Sequence, residues 1–132
     1  MSIIVLKFGG TSVASIEKIN NIVEIVAKEI NLNKIIVVLS AMAGETNRLQ
    51  SLLDEIGSEN SAESDLVLTS GEQVTIGLLS AALKKKSIKS IPLLGWQVPI
   101  LTEGNYSSAR IKYIYKKNIM KYLKSGGIPI VA

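Results

Sequence analysis

An apolar run that stops at two adjacent glycines constrains this chain more than any other stretch. Ile3-Ile4-Val5-Leu6 is continuous rather than alternating, which predicts a strand buried in a parallel sheet. It passes into Lys7-Phe8-Gly9-Gly10-Thr11-Ser12, and a helical pattern follows at once. Paired glycines let a backbone approach a bulky anion, and the start of the next helix offers unpaired N–H groups. Lys7 adds a mobile point charge suited to phosphate. The local reading is a phosphate-binding strand–loop–helix. It is neither G-x-x-x-x-G-K-[ST], because Lys7 precedes the glycines, nor G-x-G-x-x-G. A strand ending in Gly-Gly before a helix also arises in α/β proteins for geometric reasons alone.

The pattern that follows repeats the arrangement. Ile16, Ile19, Ile22, Val23, Val26 and Ile30 recur at helical spacing, with Ser12 or Ser15 as candidate cap and Glu17 in the first turn. After Asn31-Leu32-Asn33 comes Lys34–Leu39, again without alternation, predicting a central strand covered on both faces and a right-handed βαβ unit. Ser40 to Asn47 is a second small-residue loop directly after a strand. Ligands of open α/β sheets sit at the carboxyl ends of the strands, so both loops are expected to face one crevice. Leu49, Leu52, Leu53 and Ile56 predict a helix ending near Gly57, and the polar stretch 58–64 an exposed linker.

Farther on, Ser70 and Gln73 have the spacing of a capping box, which predicts a helix starting there and running through Val74, Leu78, Leu79, Ala82 and Leu83. Ile88–Leu94 reads as a strand near a sheet edge because Pro92 interrupts it. Pro99–Thr102 is a candidate short strand and Ala109–Tyr115 a half-buried or edge strand. Ile119, Met120 and Leu123 lie on a short helix stopped by Gly126-Gly127, and Ile128–Val131 starts another buried strand. A core strand in that position leaves an apolar layer half covered, so the chain is expected to be a piece of a larger domain and prone to aggregate in isolation.

The 132 residues are enough for one domain with a real core. The formal net charge is +4, and the lysines gather late in the chain near Tyr106, Tyr113, Tyr115 and Tyr122. That grouping is read as solvated helix ends and outer faces, not as a nucleic-acid surface. Without cysteine or histidine, disulfides, Cys/His zinc sites and any His-based triad are excluded. No uninterrupted apolar run reaches the length of a membrane span and no secretory signal is evident, so a cytoplasmic location is expected, with no membrane partner.

Several ordered motifs carry a resemblance. Lys7-Phe8-Gly9-Gly10-Thr11-Ser12-Val13, Val37–Met42 through Gly44-Glu45-Thr46-Asn47, Ser70-Gly71-Glu72-Gln73-Val74, Gly95-Trp96-Gln97 and Ser108-Ala109-Arg110-Ile111 together resemble the aspartokinases, within the amino acid kinase fold. Leu94 replaces a threonine common in the family, and residues 103–106 lack its usual histidine.

The resemblance implies an α/β fold, a largely parallel sheet with helices on both faces. It also implies transfer of the γ-phosphoryl group of ATP, with Mg2+, to the β-carboxylate of L-aspartate, the first step towards lysine, threonine and methionine. Lys7 would be the catalytic cation at the β- and γ-phosphates. Phe8, Gly9, Gly10 and Ser40 would line the nucleotide phosphates, and Thr46 and Glu72 would hold aspartate, Glu72 through the α-ammonium. The plainer alternatives are that Thr46 caps its helix and Ser40 satisfies a strand-end backbone group. The family's substrate arginine, Arg-Gly-Gly-Ser-Asp stretch, adenine-binding half and regulatory domains have no counterpart here. The expected unit is therefore the N-terminal half of a catalytic domain, working with a complementing C-terminal chain or as a homo-oligomer. The rival readings are a non-catalytic remnant and another amino acid kinase.

Overall fold

A computed structural model describes residues 1–58 and 60–132. Four parallel strands form the main sheet: β1 (Ile3–Phe8), β2 (Lys34–Leu39), β3 (Ser90–Leu93) and β6 (Ile128–Val131), in the order β1-β2-β6-β3. Helix α1 (Ile16–Glu29) links β1 to β2, and α2 (Glu45–Ile56) and α3 (Ala62–Lys85) link β2 to β3. Strands β4 (Ile100–Glu103) and β5 (Arg110–Ile114) make a separate antiparallel hairpin, followed by α4 (Lys117–Lys124). This is the α/β class the motifs implied.

Strand alternation sorts the sheet into two faces. Ile35, Val37 and Leu39 of β2 join Ile128 and Ile130 of β6 in a core closed by Ile19, Ile22, Val23 and Val26 of α1 and Ile76, Leu79 and Leu83 of α3. The helical spacing in α1 thus points at the sheet as its periodicity required. Ser15 is the cap, its Oγ accepting from Lys18 N at 3.2 Å. On the other face Leu93, Val98 and Val131 form a smaller cluster with Ile36, Val38 and Ile119 against it. Among the described residues, α4, the hairpin and the loop carrying Val98 lie on this side.

Several expectations need correction. β1 is an edge strand, and Ile3 and Val5 are 45% and 59% exposed; a continuous apolar run does not distinguish an edge from a centre. β2 is central, but its second face is only half covered. No helix starts at Ser70: α3 runs unbroken from Ala62, and Ser70 Oγ donates to Val67 O, one turn back. The true cap is Ser61, whose Oγ accepts from Ser64 N, and Ser64 is buried. The second half of the anticipated linker is therefore helix start; Glu59 lies outside the described residues. The 24 residues of α3 make it long and apolar enough to cross a bilayer by length and composition, although Gly71, Thr75, Ile76, Leu79 and Leu83 are packed inside this fold. The remaining elements follow expectation, with α2 ending at Gly57 in the left-handed region (φ +77°) and Pro92 on an edge strand.

Candidate functional site

Because all four strands run parallel, their carboxyl ends lie on one rim. There the loop after β1 meets the loop after β2. Phe8 pairs with Leu39 at the end of the ladder, and Ser40 N donates to Phe8 O at 3.2 Å. Gly9 leads into a single 3-10 turn, Gly10–Val13, closed by Ser12 N donating to Gly9 O. The N–H groups of Gly10 and Thr11 open that turn and have no acceptor within it.

The two glycines have different tasks. A Cβ on Gly10 would stand 3.0 Å from Ala41 O, so a side chain there would push the first loop away from the second. A Cβ on Gly9 would meet nothing within 4 Å, so Gly9 faces open space where a ligand has room. Gly44, at φ +81°, turns the second loop into α2.

The second loop is held from above by α3. Gly71 is buried, and a Cβ there would lie 2.8 Å from the Ala41 Cβ. Glu72 Oε1 accepts from Ala41 N at 3.3 Å, and Thr75 Oγ1, fully buried, donates to Ser40 O at 2.8 Å. Gly10, Ser40 and Glu72 are thus brought together around Ala41.

Lys7 and Thr46 stand apart from that cluster. Lys7 leaves β1 on the same face as Ile3 and Val5, opposite α1 and α3, and is exposed. Phe8 packs against the main core, which limits its side chain to a structural part here. Thr46 is exposed in the first turn of α2, whose cap position is Gly44 without a side-chain bond, so Thr46 is not the cap. In the same turn Arg48 grips Glu45 through Nε and Nη2 at 2.9 and 2.7 Å, and holds the Glu45 carboxyl below its ordinary value. No cluster of three or more acidic side chains suited to a metal occurs among the described residues.

Sequence reasoning missed Ala41, Gly71 and Thr75. The signal was present in outline: Gly71, Thr75 and Leu79 follow at four-residue steps, so a glycine and a hydroxyl lie on the core-facing stripe of α3.

The amino acid kinase family matches residues 2–132. The chain belongs to the amino acid kinase family. Within it, the similarity runs to aspartokinases. All of this chain aligns with the aspartokinase of Rickettsia prowazekii at 48% identity over 137 residues, and with the aspartate kinase of Pseudomonas putida at 45% over 134. It spans 31% and 33% of those proteins, about a third of their length. The crystal structure of aspartate kinase from Synechocystis superposes on 98% of this chain with a TM-score of 0.81 and 36% identity, using 21% of its own length. Aspartokinase III of E. coli, solved with aspartate and ADP, matches 99% of this chain and 40% of its own at a TM-score of 0.81; at 20% identity it speaks for the fold alone.

Proposed function

We propose that this amino acid kinase family member is the phosphate- and substrate-binding part of an aspartokinase catalytic domain, corresponding to the N-terminal half of that domain. The observation that carries the reading is the rim where Gly10, Ser40 and Glu72 converge beside the open space at Gly9, in a chain similar to aspartokinases along its whole length.

In this reading the N–H groups beside Gly9 and Gly10 take phosphate oxygens of ATP. Lys7, free at the end of β1, swings to the β- and γ-phosphates, and Ser40 supplies a hydroxyl at the same rim. Mg2+ would come bound to the nucleotide phosphates and would neutralise the charge developing on them. Glu72 keeps Oε2 for the α-ammonium of L-aspartate while Oε1 holds Ala41 N. Thr46 is the weakest member, since it reaches aspartate only if the substrate extends over the first turn of α2.

A β-carboxylate oxygen of aspartate attacks the γ-phosphorus, the bond to the β–γ bridging oxygen breaks, and ADP leaves with that electron pair. The nucleophile is already ionised, so no histidine base is needed, and catalysis rests on alignment and charge neutralisation. The product in this reading, 4-phospho-L-aspartate, would feed lysine, threonine and methionine synthesis, with the protein acting in the cytoplasm.

A second reading has an observation of its own. On the face away from α1 and α3, an apolar cleft of about 590 Å3 opens between Val5, Ile36, Val38, Ile111 and Ile119. That surface suits a protein partner, whether a complementing kinase chain or a second copy, and allows a non-catalytic role.

The test is aspartate-dependent ADP release with Mg-ATP, alone and after addition of a polypeptide equivalent to the rest of a relative's kinase domain. Turnover that falls by at least about a hundredfold in Lys7→Ala supports the kinase. Absence of turnover in both arms sinks it and leaves the binding role.

A further inference from the structure

We propose that Thr75, with Gly71, is a positioning residue that fixes the orientation of a single peptide group, the one joining Ser40 to Ala41. The functional consequence rests on the aspartokinase reading; the positioning itself does not.

Ser40 O and Ala41 N belong to one peptide plane. Thr75 donates to its carbonyl at 2.8 Å and Glu72 accepts from its N–H at 3.3 Å, so both polar ends of the plane are held by α3 residues one turn apart. Thr75 Oγ1 also lies 3.0 Å from Glu72 O, a carbonyl of its own helix. Of the two carbonyls within reach of its proton, Ser40 O is the nearer. Gly71 sets the approach, because any Cβ there would collide with Ala41 Cβ. On its other side Ala41 meets Gly10, which lies against the carbonyl of the following peptide group. A plane gripped at both polar ends resists swinging about its Cα–Cα axis.

The two grips are unequal. The Glu72 bond is long, and a ligand ammonium competes for the same carboxylate. The Thr75 bond is shorter, comes from a fully buried side chain, and involves no carboxylate that a ligand ammonium would draw away. Thr75 therefore keeps the peptide in place when Glu72 turns part of its charge to a substrate, and with it the Ser40 side chain and the start of α2.

The experiment compares Thr75→Val, which keeps shape and removes the donor, with Thr75→Ser, which keeps the donor. Amide hydrogen exchange is followed at Ala41 and at Val26 of the α1 core. Exchange at Ala41 should rise about tenfold in Thr75→Val, a factor that corresponds to 1.4 kcal/mol, and return towards the parent rate in Thr75→Ser, with Val26 unmoved. Equal acceleration at Val26, or none at Ala41, would overturn the assignment. Should Thr75→Val fail to fold, Gly71→Ala decides: its effect on Ala41 should be relieved by adding Ala41→Gly, which removes the opposing methyl, and a double variant no better than Gly71→Ala counts against the proposal. L-aspartate titration of the parent chain runs alongside. Lack of aspartate binding there contradicts the kinase reading, while the exchange data still decide the role of Thr75.

Discussion

The two faces of the sheet are built from the same kinds of residue and end in different states. On one, Val37, Ile130, Leu79 and Leu83 are fully buried between β2, β6, α1 and α3. On the other, Ile3, Val5 and Ile111 are 45%, 59% and 63% exposed around the apolar cleft. The contrast comes from what covers them. Two long helices, an amphipathic α1 and a largely apolar α3, close the first face, whereas the second has an eight-residue helix and a hairpin. Every residue of β5 is exposed, and the hairpin is tied down at few points, among them Ser107 N and Oγ donating to the Asp65 carboxylate at 3.1 and 3.2 Å. A two-stranded hairpin has too little buried area to seal a sheet face. The rim with the candidate site lies at the closed face, where α3 can hold a loop rigidly.

The comparison is broken most directly by truncating one side chain on each face. Leu79→Ala should cost roughly 2–5 kcal/mol in urea unfolding, because it leaves a cavity between helix and sheet. Val5→Ala should cost less than about 0.5 kcal/mol, since water already reaches that position. Equal losses would mean that the open face is covered in solution, by a second copy or by a partner. A smaller effect tests whether α3 acts as the rigid lid. Ser61→Ala removes its cap, and a loss of about 0.5–2 kcal/mol is expected, with helix content by circular dichroism falling mainly in the first turn.

The smallest effect concerns pH at the start of α2. The hydrogen bonds from Arg48 lower the Glu45 pKa from its ordinary 4.5, so the folded state favours the carboxylate more than the unfolded chain does. The resulting stabilisation is complete above that ordinary value and disappears as pH falls through the lowered folded value. Being exposed, the pair should add only a slight acid-side loss of melting temperature, absent in Arg48→Gln. An acid limb that persists unchanged in Arg48→Gln assigns it to other carboxylates.

Much of this was legible along the chain because it depends on local pattern. The helix of Ile19, Ile22, Val23 and Val26 declared itself by spacing, and Pro92 marked its strand as an edge. The opening glycine loop and the loop after β2 were expected to meet, and Gly10 against Ala41 is that meeting. Ser70 misled because a capping box and a hydroxyl bonding one turn back inside a helix look alike in sequence; burial of Ser64 shows that the helix had already begun. Lys7 is expected beside the opening glycine loop, and strand alternation sets it on the face opposite α1 and α3.

The sequence by itself determined the class of fold, the order of its strands and helices, and the residues available to phosphate and carboxylate chemistry, since these follow from periodicity and from side-chain type. Only the tertiary structure decided which apolar strand lies at the edge, which face stays open, and which peptide group α3 holds. Those outcomes depend on contacts between segments distant in sequence, such as Gly10 against Ala41 and Thr75 to Ser40, 35 positions away, and no local pattern records how closely such segments approach.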